Sequence, residues 1–128
     1  MTTYSSVVEV IKGFIPWGIK ETEMNESLGR ALKKSGFSNT VNVRGVDVVG
    51  SDYIIEGKKN LIERNQVLPK LEYQIRRYVN EYGFMKDTYV VIYGDAKMSL
   101  VNEFKQYCYC SCDCLVPIIV VKGKVIKE

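Results

Sequence analysis

Histidine is missing altogether from this chain of 128 residues. That absence removes Ser-His-Asp triads, histidine-ligated zinc and histidine as a general base. Hydrolytic chemistry would have to come from carboxylates, Lys, Tyr, Ser or Cys. No apolar run approaches the roughly 18 residues that cross a bilayer, so no membrane partner is expected. Met1 to Ser6 lacks a basic start followed by an apolar core. The chain therefore reads as one without a secretory leader, working inside a cell, or a host cell if viral. Low-complexity tracts, internal repeats and obvious linkers are also lacking. One domain over residues 1–128 is expected, with 1–18 as an N-terminal helical extension and 19–128 as the core.

What is present suits a globular domain: 46% hydrophobic and 26% charged residues, enough for one proper core. The net charge of +3 leans only slightly toward a polyanionic partner. Val7, Val8, Ile11 and Phe14 recur at helical spacing, with Ser5 or Ser6 as a cap. Pro16-Trp17-Gly18 breaks that helix. A second helix is predicted from about Glu21 to Ser35, with Met24, Leu28, Ala31 and Leu32 inward and Gly36 at its end. Val41 to Val49 and Asp52 to Lys58 read as a hairpin around Gly50-Ser51. Pro69 to Tyr82 reads as a helix closed by Gly83. Tyr89 to Tyr93 reads as a covered strand, Met98 to Tyr107 as a helix and Leu115 to Val121 as a last strand. This alternation predicts a βαβ unit in an α/β protein of order α-α-β-β-α-β-α-β.

The chemistry sits in the hairpin. Side chains alternate along a strand, so Ile54, Glu56 and Lys58 share a face. With Gly50-Ser51 as a two-residue turn, Asp47 falls opposite Ile54 and Glu56 is its diagonal neighbour, roughly 7 Å off. Asp47 and Glu56 can then hold one divalent cation, Mg²⁺ or Mn²⁺, with Lys58 placed to position water or stabilise developing charge. A turn of odd length would send Asp47 to the other face. On spacing alone, a hairpin whose outer charges are simply solvated is the better fit to the same residues. Basic residues crowd the chain after Lys58, and Arg44 stands within the hairpin itself. Arg44, Lys59, Lys70 and Arg77 are candidate phosphate contacts.

The order of these features resembles the PD-(D/E)xK nuclease superfamily, the restriction-endonuclease-like fold. Val46-Asp47 stands where the family has Pro-Asp, and Glu56-Gly57-Lys58 supplies E-x-K. Gln74-Ile75-Arg76-Arg77-Tyr78 is similar to the Q-x-x-x-Y motif of RecB-type and lambda-exonuclease-like members, and the chain as a whole resembles either these or the archaeal resolvase-like members. The resemblance implies a central mixed sheet of about four to five strands flanked by helices. It also implies a catalytic set of Asp47, Glu56, Lys58, Gln74 and Tyr78. Glu21, on the inward stripe of the second helix, is the candidate third metal carboxylate, in preference to Glu23 and Glu26. The implied activity is metal-dependent DNA hydrolysis by a homodimer. A catalytically silent DNA-binding or assembly module on the same scaffold is the alternative.

Cys108, Cys110, Cys112 and Cys114 alternate after the last predicted helix. The spacing is not that of a zinc ribbon. It also lacks the distant upstream Cys of the RecB-type nucleases that hold an iron–sulfur cluster. Zinc or a cluster there is therefore disfavoured, and disulfides or plain packing stand as alternatives.

Overall fold

The structure, a computed structural model, describes residues 3–82, 86–112 and 116–127. Helix α1 (Thr3–Gly13) and helix α2 (Glu21–Lys34) come first. Strands β1 (Asn39–Val43), β2 (Val46–Gly50) and β3 (Tyr53–Lys58) follow, then helix α3 (Arg64–Tyr82). Strand β4 (Asp87–Ile92), the short β5 (Ala96–Lys97) and helix α4 (Met98–Cys112) come next. Strands β6 (Ile118–Val120) and β7 (Val125–Ile126) complete the order. The main sheet has five strands in the order β1-β2-β3-β4-β6, and β5 and β7 pair separately. β1, β2 and β3 form an antiparallel meander, whereas β3-β4 and β4-β6 are parallel. The protein is thus α/β with a mixed five-stranded sheet flanked by four helices. Among the described residues, no helix is long and apolar enough to cross a membrane.

Each face of the sheet carries its own core, as alternation along buried strands requires. Ile54, Val90 and Ile92 pack against Leu71, Ile75 and Tyr78 of α3 and Val101 and Phe104 of α4. Ile55, Tyr89 and Val91 pack on the opposite side with Leu28 and Leu32 of α2. Val7 and Ile11 of α1 are fully buried in that same second core.

Several boundaries differ from the sequence-based expectation. Val41 to Val49 is two strands, not one. Arg44 (φ 54) and Gly45 (φ 74) make a tight turn inside it. Two successive positive φ values are the mark of a type I′ hairpin turn, and glycine takes the second without strain. The following turn falls on Ser51-Asp52 rather than Gly50-Ser51, because Val49 pairs with Ile54 and Val48 with Ile55. Helix α1 begins before Ser5 and Ser6, which therefore do not cap it. α3 starts five residues earlier than expected and carries Pro69 in its second turn, where the missing N–H forfeits one helical bond. The backbone of α4 runs on through Cys108, Cys110 and Cys112. Gly83, Cys114 and Leu115 lie outside the described residues.

Helix α2 is well ended. Glu23 Oε1 accepts the N–H groups of Lys20 at 2.9 Å and Ile19 at 3.2 Å, which holds its carboxyl below the ordinary Glu value. At the other end Gly36 (φ 92) turns the chain, with Gly36 N–H on Lys33 O and Phe37 N–H on Leu32 O. That bond pair is a Schellman motif, and it fixes where α2 hands over to β1.

Candidate active site

Glu56 is the buried acid of the fold: its residue is only 3% exposed. β3 lies between β2 and β4 and is covered on both faces, so an acid there needs partners. It has two. Tyr78 of α3 donates its hydroxyl to Glu56 Oε1 at 2.8 Å. Lys58 Nζ lies 3.3 Å from Glu56 Oε2.

Asp47 reaches the same place from β2. Continuing the register of Val48 with Ile55 sets Asp47 directly opposite Glu56, closer than the diagonal placement expected from sequence. The turn moved by one residue but kept an even length, so the face was preserved. Asp47 Oδ2 accepts the backbone N–H of Gly57 at 2.8 Å, filling a ladder position with a side chain. Burial, then the neighbouring charge of Glu56, pushes the Asp47 carboxyl up from 3.8 to about 7. A partly buried carboxyl pushed up beside a second carboxyl is a natural cation site, since a bound cation favours its ionised form. Tyr78 and Tyr93 are also pushed up, first by burial and then by these acids.

Glu21, at the first turn of α2, sends Oε2 to the backbone N–H of Lys59 at 3.0 Å, just past the E-x-K strand. Its charge also acts on Asp47 and Tyr93. Of the three glutamates, Glu21 thus lies near the acids, while Glu23 caps the helix and Glu26 is exposed. Among the described residues, however, no three acidic, Cys or His side chains converge closely enough to form a ready-made metal cage. Asp47 and Glu56 alone fit a hard cation that keeps several waters; Mg²⁺ is commonly held by one or two carboxylates. Gln74 stands one turn before Tyr78 on α3, and its Oε1 is buried without a hydrogen-bond partner among the described residues.

The basic residues fall into two groups. Lys58, Lys59 and Lys70 line a cleft of about 430 Å³ together with Glu21, Asn60, Ile62, Glu63 and Val67. Arg44 and Arg77 line a smaller one of about 240 Å³ with Val46, Glu81 and Tyr82. Arg77 also donates to Gly45 O at 3.4 Å and stacks over the Tyr78 ring at 5.3 Å, which ties the β1-β2 turn to α3.

Sequence reasoning missed the polar network beneath the site. Asn25 of α2 is 1% exposed and accepts from Tyr93 Oη at 2.7 Å. Its amide donates to Asn42 Oδ1 at 3.2 Å, and Asn42 donates to Thr22 O at 3.0 Å. Gly57 sits against this network, where an added Cβ would lie 2.7 Å from Tyr93 Cε2 and would also strike Asn25 Oδ1. The middle residue of E-x-K must therefore be glycine here. The available signal was a lone Asn on the inward stripe of α2, one residue after Met24.

No family model, curated protein or solved structure significantly matches the chain.

Proposed function

We propose that this chain is a divalent-metal-dependent nuclease with a restriction-endonuclease-like core, hydrolysing phosphodiester bonds of DNA. One observation carries the reading: Asp47 and Glu56 face each other on adjacent strands, and Lys58 touches Glu56. Their order along the chain also resembles that of the PD-(D/E)xK nucleases.

Asp47 and Glu56 would hold Mg²⁺ or Mn²⁺, which when bound polarises a phosphoryl oxygen and acidifies water. The chain's own groups do the rest. The Gly57 N–H fixes Asp47, and the Tyr78 hydroxyl fixes Glu56, so neither carboxylate must be ordered when substrate arrives. Lys58 presents its ammonium to attacking water or to negative charge developing on phosphate. Gln74, with an unused oxygen, supplies an acceptor beside Tyr78. Lys59, Lys70, Arg44 and Arg77 would contact phosphates on either side. A symmetric homodimer is the assembly in which two such sites cut both strands.

Linear and circular DNA incubated with the protein in Mg²⁺ and in EDTA test this. Cleavage is expected in Mg²⁺ only, and Asp47→Ala, Glu56→Ala and Lys58→Ala should each reduce it at least about a hundredfold. No cleavage by the unaltered protein, or equal cleavage by the Asp47 and Glu56 variants, would sink the reading. The second reading is a nuclease-like module that holds DNA without cutting. DNA binding that persists after loss of both acids, without any cleavage, identifies that case.

A further inference from the structure

The connection between α1 and α2 carries three large apolar side chains on its outside. Ile15 is 78% exposed, Trp17 69% and Ile19 78%. Scattered exposed apolar residues need no explanation, but three within five residues do. The segment is also held in place. Trp17 N–H donates to Ser27 Oγ at 3.2 Å, and the N–H groups of Ile19 and Lys20 converge on Glu23 Oε1. Phe14, at its start, packs edge-on against Tyr93 at 6.2 Å. An exposed indole on a clamped backbone is presented rather than merely left over.

Glu23 lies under the segment and Glu26 is exposed beside Ser27, but the cleft next to it is basic. Phe14 and Ile15 line a cleft of about 420 Å³ with Arg30 and Lys34 at its rim. The segment runs through Lys20 straight into Glu21, which borders the Lys58, Lys59 and Lys70 cleft. Ser27, where the Trp17 backbone is held, lies about 9 Å along α2 from Glu21 at 1.5 Å rise per residue. An exposed aromatic next to a cleft lined by Arg30 and Lys34 matches the way unpaired nucleotides are held: bases stack and the backbone is neutralised.

We propose that Trp17 stacks on an unpaired base of a nucleic-acid strand leading into the Asp47–Glu56 site. The protein therefore takes single-stranded or frayed substrate in preference to closed duplex. The surface rests on the nuclease reading for the strand's destination, but its binding can be measured independently.

Trp17 is the one tryptophan of the chain, so its fluorescence reports on this position alone. The protein in EDTA is titrated with oligothymidylate, oligouridylate and a blunt, closed duplex, with binding followed separately by anisotropy of labelled strands. Expected are quenching by either single strand and weaker binding of single strands by Trp17→Ala, by about five- to 150-fold. Trp17→Phe should restore most of it, and duplex affinity should change less than about twofold. The two oligomers show whether DNA or RNA supplies the base. Single-strand binding without quenching, equal binding by Trp17→Ala, or no binding at all overturns the proposal, the last two being the results expected if the patch serves a protein partner. Mg²⁺-dependent cleavage on the same preparations separates the readings. Cleavage without Trp17-dependent binding overturns only the stacking surface, and Trp17-dependent binding without cleavage overturns only the nuclease.

Discussion

At the level of single residues, the site is built on a conflict that a cation would resolve. Asp47 is held beside Glu56 by the Gly57 N–H, and its carboxyl is pushed up to about 7, chiefly by burial and then by Glu56. The folded protein therefore binds this proton more tightly than the unfolded chain does. The stability it contributes is complete below about pH 4 and is lost as pH rises through about 7. Asp47→Asn keeps an acceptor for Gly57 but cannot ionise. In EDTA at pH 8 the variant should be more stable than the unaltered protein by about 1–2 kcal/mol, allowing for solvent screening of a partly exposed group, and the gap should close toward pH 4. Urea unfolding at the two pH values measures it. Adding Mg²⁺ should raise the melting temperature of the unaltered protein and leave Asp47→Asn unmoved; a gap that stays constant with pH would refute this account of Asp47. Tyr78→Phe tests the other acid. It leaves a buried Glu56 oxygen short of a donor, so about 1.5–3 kcal/mol of stability should be lost and Mg²⁺ affinity should fall. Calorimetric titration and thermal melts check both, and unchanged values in the two assays would show the bond to be idle.

Among elements, the E-x-K strand depends on α2 as much as on its sheet neighbours. The lack of a Cβ at Gly57 lets Asn25 and Tyr93 close beneath it, and α2 is thereby fixed so that Glu21 meets the Lys59 N–H. Gly57→Ala forces a contact that close packing cannot absorb, so a loss of about 1–3 kcal/mol is expected. Hydrogen exchange should show faster exchange at the Lys59 amide and the first turns of α2, with α4 little changed; uniform loosening across the sheet would instead point to global destabilisation. The same contacts explain what was legible from sequence. Helical and strand periodicity located α2, β3, β4 and the acids, because those elements bury one consistent face. The shared face of Asp47 and Glu56 survived the displaced turn because Ser51-Asp52 and Gly50-Ser51 are both two residues long. The Arg44-Gly45 turn was read through because valines stand on both sides of it, although the alternation changes phase between Val43 and Val46. β5 and β7, only two residues each, are too short for any periodicity to mark. Pro69 misplaced the start of α3, because a proline reads as a boundary even where the second turn of a helix accommodates it.

Across the whole molecule, the modest charge of +3 is arranged more tellingly than its size suggests. Val46, which precedes Asp47, lines the Arg44 and Arg77 cleft; Lys58, which touches Glu56, lines the Lys59 and Lys70 cleft. Each acid is thus close in the chain to a residue lining one of these clefts, and a phosphate backbone crossing both clefts would meet cations in each. Each phosphate contact on duplex DNA adds about 0.9 to the slope of log affinity against log salt. The double variants Lys59→Ala/Lys70→Ala and Arg44→Ala/Arg77→Ala should each reduce that slope by about 1.8 while preserving sequence tolerance. Arg64 supplies the internal control, because its guanidinium Nε is engaged by both oxygens of Glu103 at 2.9 Å. Arg64→Ala should leave the slope unchanged. Anisotropy titrations in EDTA from low to moderate salt read all three. Slopes that fall equally in every variant would mean a diffuse field, and slopes that fall in neither double variant would remove both clefts from the DNA path.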